Sequence, residues 1–259
     1  MSSDGAALVR SETVDGITTL VLDDPAHRNA LSWEMVRTLR DAVDAAAESG
    51  CRALILQNTP PVFSAGGSVD DLLHPKAPLG EMYGAFRALD RAGIPTVAVV
   101  DGAAVGAGIN LVLACDIALC SPESRFDVRF LDVGIHPGGG QLWRLRRSLG
   151  AQAVAAMTLF GEVLTGEQAA RLGLAWRCLP SDELRDEAIR LAGRAAAHDP
   201  ELVAKVKATL RAVDGVDDAE TAIALEGEAQ QWSMERPQFE AALRELREQL
   251  GRNAGEPRT

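Results

Sequence analysis

Two glycine-rich segments, each directly after an apolar run with strand character, constrain this chain more than any other feature. The first is Phe63-Ser64-Ala65-Gly66-Gly67-Ser68-Val69-Asp70, and the second is Gly102-Ala103-Ala104-Val105-Gly106-Ala107-Gly108-Ile109-Asn110. Glycine at such a junction turns the backbone without a Cβ clash and lets it approach a ligand closely, leaving amide N–H groups free to point outward. Two such turns that converge present a pair of fixed donors to one oxygen. A pair of this kind stabilises negative charge on a carbonyl oxygen as it develops, and loss of one donor typically costs roughly 10²–10³ in rate.

The 259 residues, 47% hydrophobic and 24% charged, suffice for one sizeable core plus an appendage. A formal net charge of −11 argues against a nucleic-acid surface and against docking on anionic lipid, both of which need a basic field. A polyanionic ligand would have to be held by local Arg or Lys. Cys51, Cys115, Cys120 and Cys178 show no C-x-x-C spacing and sit mostly in apolar runs, which reads as buried free thiols in a reducing compartment. Met1-Ser2-Ser3-Asp4-Gly5 has neither a basic region nor an apolar signal core, and no apolar run approaches the roughly 18 residues that span a bilayer. A cytoplasmic protein is expected.

Up to about residue 180, β-rich runs at 17–22, 53–57, 96–100 and 117–120 recur with helical stretches between some of them. They are apolar throughout, as expected of strands buried on both faces. Ser32 caps a predicted helix whose apolar face is Val36, Leu39 and Val43 and which ends near Gly50. Residues 106–114 form another, opened by the second glycine turn. Thr165 and Gln168 have capping-box spacing, and Gly173 stops that helix. From Ser181 on, only helical signals remain: 181–197, then Asp199-Pro200 as cap and first helical position, then 219–234, then a last helix opened by Pro237 and ending before Gly251. Residues 253–259 read as disordered. The coarse reading is an α/β core with a helical C-terminal extension.

Several segments together resemble the crotonase, or enoyl-CoA hydratase/isomerase, superfamily. They are Arg28-Asn29-Ala30-Leu31-Ser32, Phe63 to Gly67, Ile94-Pro95 through Gly102, Cys115-Asp116-Ile117-Ala118, Gly134-Ile135-His136-Pro137-Gly138-Gly139-Gly140, and Leu164-Thr165-Gly166-Glu167-Gln168-Ala169 to Leu172-Gly173-Leu174-Ala175. One glycine turn alone is weak evidence, but this order and spacing is specific. The resemblance implies a spiral of ββα repeats over residues 1–198 holding a coenzyme A thioester site. It also implies a helical region, 199–259, that assembles trimers or hexamers. Coenzyme A enters as part of the substrate, with no permanently bound cofactor and no metal. On the family motif, the thioester carbonyl lies between the amides of Gly67 and Ala107, and alanine at 107 keeps its N–H. Arg28, Ala30, Ser64, Ala65, Ser68, Val69, Asn110, Phe130 and Gly138 are the substrate-binding positions that the resemblance implies, and residues 72–89 shape the acyl pocket.

The chain departs from the hydratase pattern. Hydratases of this family carry glutamates at the positions of Asn110 and Phe130, and its isomerases and a dehalogenase carry a carboxylate at the position of Gly138. An amide, a phenyl ring and a hydrogen cannot accept a proton at neutral pH. His136, oriented by Asp132, is a replacement acid/base candidate, against a structural loop histidine. Asp127 and Asp132 are further candidates, against aspartates that are exposed or paired near Arg125 and Arg129. Ser68 stands where the family usually has Asp and serves at least to hydrogen-bond the turn.

Other signals carry less. Gly106-x-Gly108-x-x-Leu111 lacks the third glycine and the later acidic residue of a dinucleotide fingerprint. His27, His74, His136 and His198 have no paired-ligand spacing for a metal, and no G-x-S-x-G elbow exists. Arg144, Arg146 and Arg147 read as a solvated face that could meet a phosphate, as do Arg28, Lys205 and Lys207. Lys205 and Lys207 also resemble a family segment near the bound coenzyme. Two function classes follow: a CoA-thioester lyase or isomerase with noncanonical acid/base groups, and a binding protein of the same fold that has lost catalysis.

Overall fold

The computed structural model describes residues 7–254. The chain divides into two compact units, the first ending at His198 and the second beginning at Asp199. In the first, β1 (Val9–Val14) and β2 (Ile17–Leu22) precede α1 (Trp33–Glu48), β3 (Ala53–Asn58), β4 (Val62–Ser64), α2 (Val69–Leu73) and α3 (Gly84–Arg91). Then come β5 (Thr96–Val100), β6 (Ala103–Val105), α4 (Ala107–Ala114), β7 (Ile117–Cys120), β8 (Arg125–Asp127) and α5 (Gln141–Leu159). The unit closes with β9 (Leu164–Thr165), α6 (Gly166–Leu172), β10 (Arg177–Cys178) and α7 (Ser181–Ala196).

Two sheets result, in the orders β1-β2-β3-β5-β7-β10 and β4-β6-β8-β9. Each repeat places a long strand in the first sheet, a short one in the second, then helix: β3 and β4, β5 and β6, β7 and β8. This is a spiral of ββα turns. Its strand pairs within each sheet are parallel through β3, β5 and β7 and through β4, β6 and β8.

The long strands bury both faces, which is why they read as unbroken apolar runs. Leu54, Leu56, Ala98, Val100 and Ala118 point into the main core with Met35, Val36 and Leu39 of α1. Ile55, Val97, Val99 and Leu119 point the other way onto Leu184, Ala188, Ala192 and Ala196 of α7. The expectation of full burial fails for β2, where Thr18, Leu20 and Leu22 are buried and the residues between them are only half-buried. That strand lies next to the antiparallel β1, five of whose six residues are exposed.

Ser32 accepts the N–H of Met35 at 3.1 Å and opens α1. Thr165 and Gln168 form the reciprocal capping box of α6, and Gly173, at φ 92°, closes it. The second unit contains α8 (Pro200–Val213), α9 (Ala219–Met234) and α10 (Pro237–Ala254). Asp199 caps α8 by accepting Leu202 N–H at 2.8 Å. Arg236 pairs with Asp199 at 2.9 Å and stacks 4.6 Å over Trp232. The last helix does not stop before Gly251 but continues to Ala254, since one helical glycine costs only about 1 kcal/mol. Of residues 253–259, expected to be disordered, 253 and 254 are therefore helical and the rest lie outside the described residues. No apolar side chain of α8 or α9 is buried, nor is any of α10 up to Leu250.

Candidate active site

Strands β4 and β6 pair in parallel, Val62 with Ala103 and Ser64 with Ala104, so the glycine turns that follow them emerge side by side. Gly66 has φ 89°, and a Cβ there would lie 2.7 Å from Val105 O and 3.5 Å from Ala107 N. A Cβ at Gly108 would meet Ser64 Cβ and Ser64 O, each at 2.9 Å. The two turns thus touch through bare backbone, which no larger residue at 66 or 108 permits. Ser64 Oγ donates to Asn29 O at 2.8 Å and accepts Gly66 N–H at 3.2 Å. Asn29 is fully buried, accepts Asp24 N–H at 2.8 Å and donates Nδ2 to Val62 O at 2.7 Å. Ala65 N–H reaches Arg28 O at 2.9 Å. The Arg28-Asn29-Ala30 segment therefore braces the first turn.

The donor peptides share one arrangement. In the Gly66–Gly67 peptide the carbonyl accepts Leu31 N–H at 2.7 Å, and the bridge continues from Ser68 N–H to Leu31 O at 3.1 Å, bypassing the Gly67 amide. In the Gly106–Ala107 peptide the carbonyl accepts Gln141 Nε2 at 2.7 Å and Ile109 N–H at 3.1 Å. Gly106 N–H is held by Asp127 O at 2.8 Å. Neither Gly67 N–H nor Ala107 N–H donates to any described residue, and both residues are half-buried. Ala107 opens α4, where the helix dipole favours negative charge.

Asn110, Phe130 and Gly138 meet around these turns. Asn110 is buried in the first turn of α4 and donates Nδ2 to Gly138 O at 3.1 Å, leaving Oδ1 buried without a partner. The Phe130 ring edge lies 3.8 Å from where Gly106 would carry a Cβ. Gly138 faces the hydroxyl of Tyr83, and Gly139 packs on Phe86 and Asn110 Nδ2. Tyr83 and Phe86 stack with ring centroids 6.3 Å apart. Arg144, read from sequence as part of a solvated face, turns inward: it donates to Gly139 O at 2.9 Å and pairs with Asp90 at 3.5 Å. Arg147 instead covers Trp143, 4.1 Å above the ring.

The acid/base candidates are less central. Asp127 lies at the end of β8, buried and ion-paired with Arg129. Asp132 and His136 are exposed, and His136 Nδ1 lies 2.7 Å from Pro137 O. Among the described residues no hydrogen bond joins His136 to Asp132, so the proposed orientation of one by the other is absent. Ser68 caps α2, accepting Asp71 N–H at 3.4 Å. Val69 is exposed beside it, as are Leu72, Leu73 and Leu79. Lys205 sits 5.6 Å over Trp232, whereas Lys207 is buried. Gln141 was not singled out from sequence and Tyr83 entered only within the 72–89 segment, because Gln141 lies 35 positions from the Gly106 turn it bonds and Tyr83 lies 55 positions from Gly138.

A cavity of about 370 Å³ lies at the opposite end of α4, lined by Val112, Cys115, Asp116, Leu174 and Trp176 among others, and contains none of these residues. Among the described residues no group of three His, Cys, Asp or Glu is placed to hold a metal, and no helix is long and apolar enough to cross a membrane.

A family model described as Enoyl-CoA hydratase/isomerase matches residues 12–251. A Mycobacterium tuberculosis protein named "Probable enoyl-CoA hydratase" is 36% identical over 240 residues, covering 88% of this chain and 92% of that one. The Escherichia coli 2,3-dehydroadipyl-CoA hydratase is 31% identical over 204 residues, covering 75% of this chain and 78% of the relative. Among solved structures, human enoyl Coenzyme A hydratase domain-containing protein 3 superimposes with a TM-score of 0.85 at 26% identity, over 93% of this chain and 98% of that chain.

Proposed function

The chain belongs to the enoyl-CoA hydratase/isomerase family, which acts on CoA thioesters, and from that premise we propose that it binds an acyl-CoA with the thioester oxygen between the amides of Gly67 and Ala107. The observation that carries this is the shared arrangement of the two peptides, carbonyls tied behind and N–H groups free. Fixed donors of that kind stabilise an enolate oxygen without reorganising as charge develops. Arg28, Ser64 and Ala65 hold the first donor turn, Ala30 of the same segment as Arg28 is a substrate-binding position, Ser68 and Val69 lead from the turn into α2, and Asn110, Phe130 and Gly138 complete the wall.

The reaction class is lyase or isomerase chemistry through that enolate, with a noncanonical proton carrier. Asn110 and Phe130 bring no base, so simple hydration lacks a group to activate water. Tyr83, whose hydroxyl abuts Gly138, joins Asp127, Asp132 and His136 as a candidate carrier. It packs on the glycine loop, while Asp132 and His136 are exposed.

A second reading, an acyl-CoA binding protein without turnover, is favoured by one observation: Asn110 ties its Nδ2 to Gly138 O, and its remaining amide oxygen accepts hydrogen bonds but is no base for a reacting proton. A panel of acyl-CoAs assayed for both turnover and binding separates the two. Turnover of any member supports the enzyme, and tight binding with no turnover across the panel supports the carrier. The unburied apolar side chains of the second unit, including Leu202, Val206 and Leu210, support assembly into a homotrimer or hexamer, because helices without a core of their own need one from partners.

A further inference from the structure

The two donor peptides differ in what holds them. The Gly66–Gly67 carbonyl is fixed by main chain, through Leu31 N–H. The Gly106–Ala107 carbonyl takes one main-chain donor, Ile109 N–H at 3.1 Å from within α4, and its shorter bond, 2.7 Å, from a side chain, Gln141, which reaches it across 35 positions of sequence. The peptide unit is planar, so the direction of the Gly106 carbonyl fixes the direction of the Ala107 N–H. Gly106 sits at φ 49° and ψ −116°, and without a Cβ its ψ is soft. Nothing in its own conformational preference stops the peptide from rotating and withdrawing the N–H. Ile109 N–H holds the oxygen from within α4, and the shorter Gln141 bond anchors it from outside the turn; two donors on one oxygen also strengthen the opposite N–H by polarisation.

Gln141 is built for this task. Its side chain is buried, and its main-chain N–H reaches Gly138 O at 3.3 Å, the same oxygen that Asn110 Nδ2 holds at 3.1 Å. Its Oε1 is buried without a partner, so the bond to Gly106 O alone sets which way the carboxamide faces. Turned over, it would press Oε1 against Gly106 O. We infer that Gln141 is the positioning residue of the Ala107 donor, holding the Gly106–Ala107 peptide with its N–H turned to the ligand. This rests on the proposed role of the Gly67 and Ala107 amides.

The test compares wild type with Gln141→Met and Gln141→Leu, which put an apolar side chain of similar bulk in its place and lose the donor. Calorimetry gives affinities for acetyl-CoA and for CoA, and difference infrared spectroscopy gives the carbonyl stretch of bound acetyl-CoA labelled with ¹³C at the carbonyl. Wild type is expected to bind acetyl-CoA more tightly and to lower the stretch. Gln141→Met should leave CoA affinity within twofold, cut the preference for the thioester at least fivefold, and return the stretch toward its free value. Loss of packing alone would not move the stretch at constant CoA affinity. If Gln141→Met fails to unfold cooperatively, Gln141→Leu decides by the same readouts. Either variant retaining both the wild-type preference and the wild-type stretch overturns the inference. Wild type itself showing neither preference nor shift would instead refute the Gly67 and Ala107 assignment, and the role of Gln141 with it.

Discussion

The hydroxyl of Tyr83 lies 2.6 Å from the point where Gly138 would carry a Cβ. A methyl group at 138 and the phenol therefore compete for one space. Gly138→Ala should destabilise the protein by about 1–3 kcal/mol through overpacking. In a Tyr83→Phe background, where the nearest ring carbon lies 3.5 Å away, the same substitution should cost less. Urea titration of the four proteins checks this, and an additive cycle would show that the two residues do not share the space.

On chemistry, hydration of crotonyl-CoA should be slow or absent, because each missing acid/base group is worth roughly 10²–10⁴-fold. Any residual rate should fall at least tenfold in Tyr83→Phe and less in His136→Ala, since His136 is exposed with Nδ1 against Pro137 O. A larger loss in His136→Ala would restore the histidine as proton carrier. A wild-type rate matching an ordinary two-glutamate hydratase would contradict the reading of Asn110 and Phe130.

Gly66→Ala places a methyl group 2.7 Å from a main-chain oxygen at φ 89°, and neither can yield cheaply. A loss of roughly 2–5 kcal/mol is expected from strain plus overpacking, with thioester preference lost in whatever remains folded. Ala107→Pro is the complementary probe. It deletes the second donor at the first position of α4, where proline is tolerated, so it should lower thioester preference with a smaller change in melting temperature than Gly66→Ala.

Cys120 and Cys178 are partners in the register of β7 and β10, and both are free thiols. Burial pushes the Cys120 thiol up to about 12, with Cys178 nearby adding to the rise. A raised thiol contributes stability that is intact below the unfolded value near 9 and is lost as pH climbs toward 12. Native Cys120 should thus resist iodoacetamide at pH 8, and Cys120→Ala should flatten part of the loss of stability above pH 9. Rapid labelling of Cys120 itself in the folded protein at pH 8, read by peptide mapping because Cys115 and Cys178 are less buried, would contradict the assigned burial.

For the second unit, Val206→Glu together with Leu210→Glu should reduce the assembled mass in light scattering while leaving the first unit folded. A wild-type monomer at micromolar concentration would remove the assembly proposal.

The fold was legible where physics is local. Ser32 and Asp199-Pro200 mark helix starts through one hydrogen bond each and Thr165 with Gln168 through a reciprocal pair, and the apolar runs of β3, β5 and β7 follow from burial on both faces. β4, β6 and β8 were not legible as strands, because three residues carry no periodic signal. The glycine turns announced the site, since only glycine permits the contacts at 66 and 108. Gln141 and Tyr83 stayed hidden for the opposite reason. Nothing in their own neighbourhoods signals a partner that only the spiral brings within reach.

The most direct test of the central claim is the affinity of wild-type protein for acetyl-CoA and for CoA, measured by calorimetry in one buffer. Two amides aimed at a thioester oxygen predict tighter binding of acetyl-CoA, because free CoA offers no such oxygen. Equal affinities would contradict the assignment of Gly67 and Ala107.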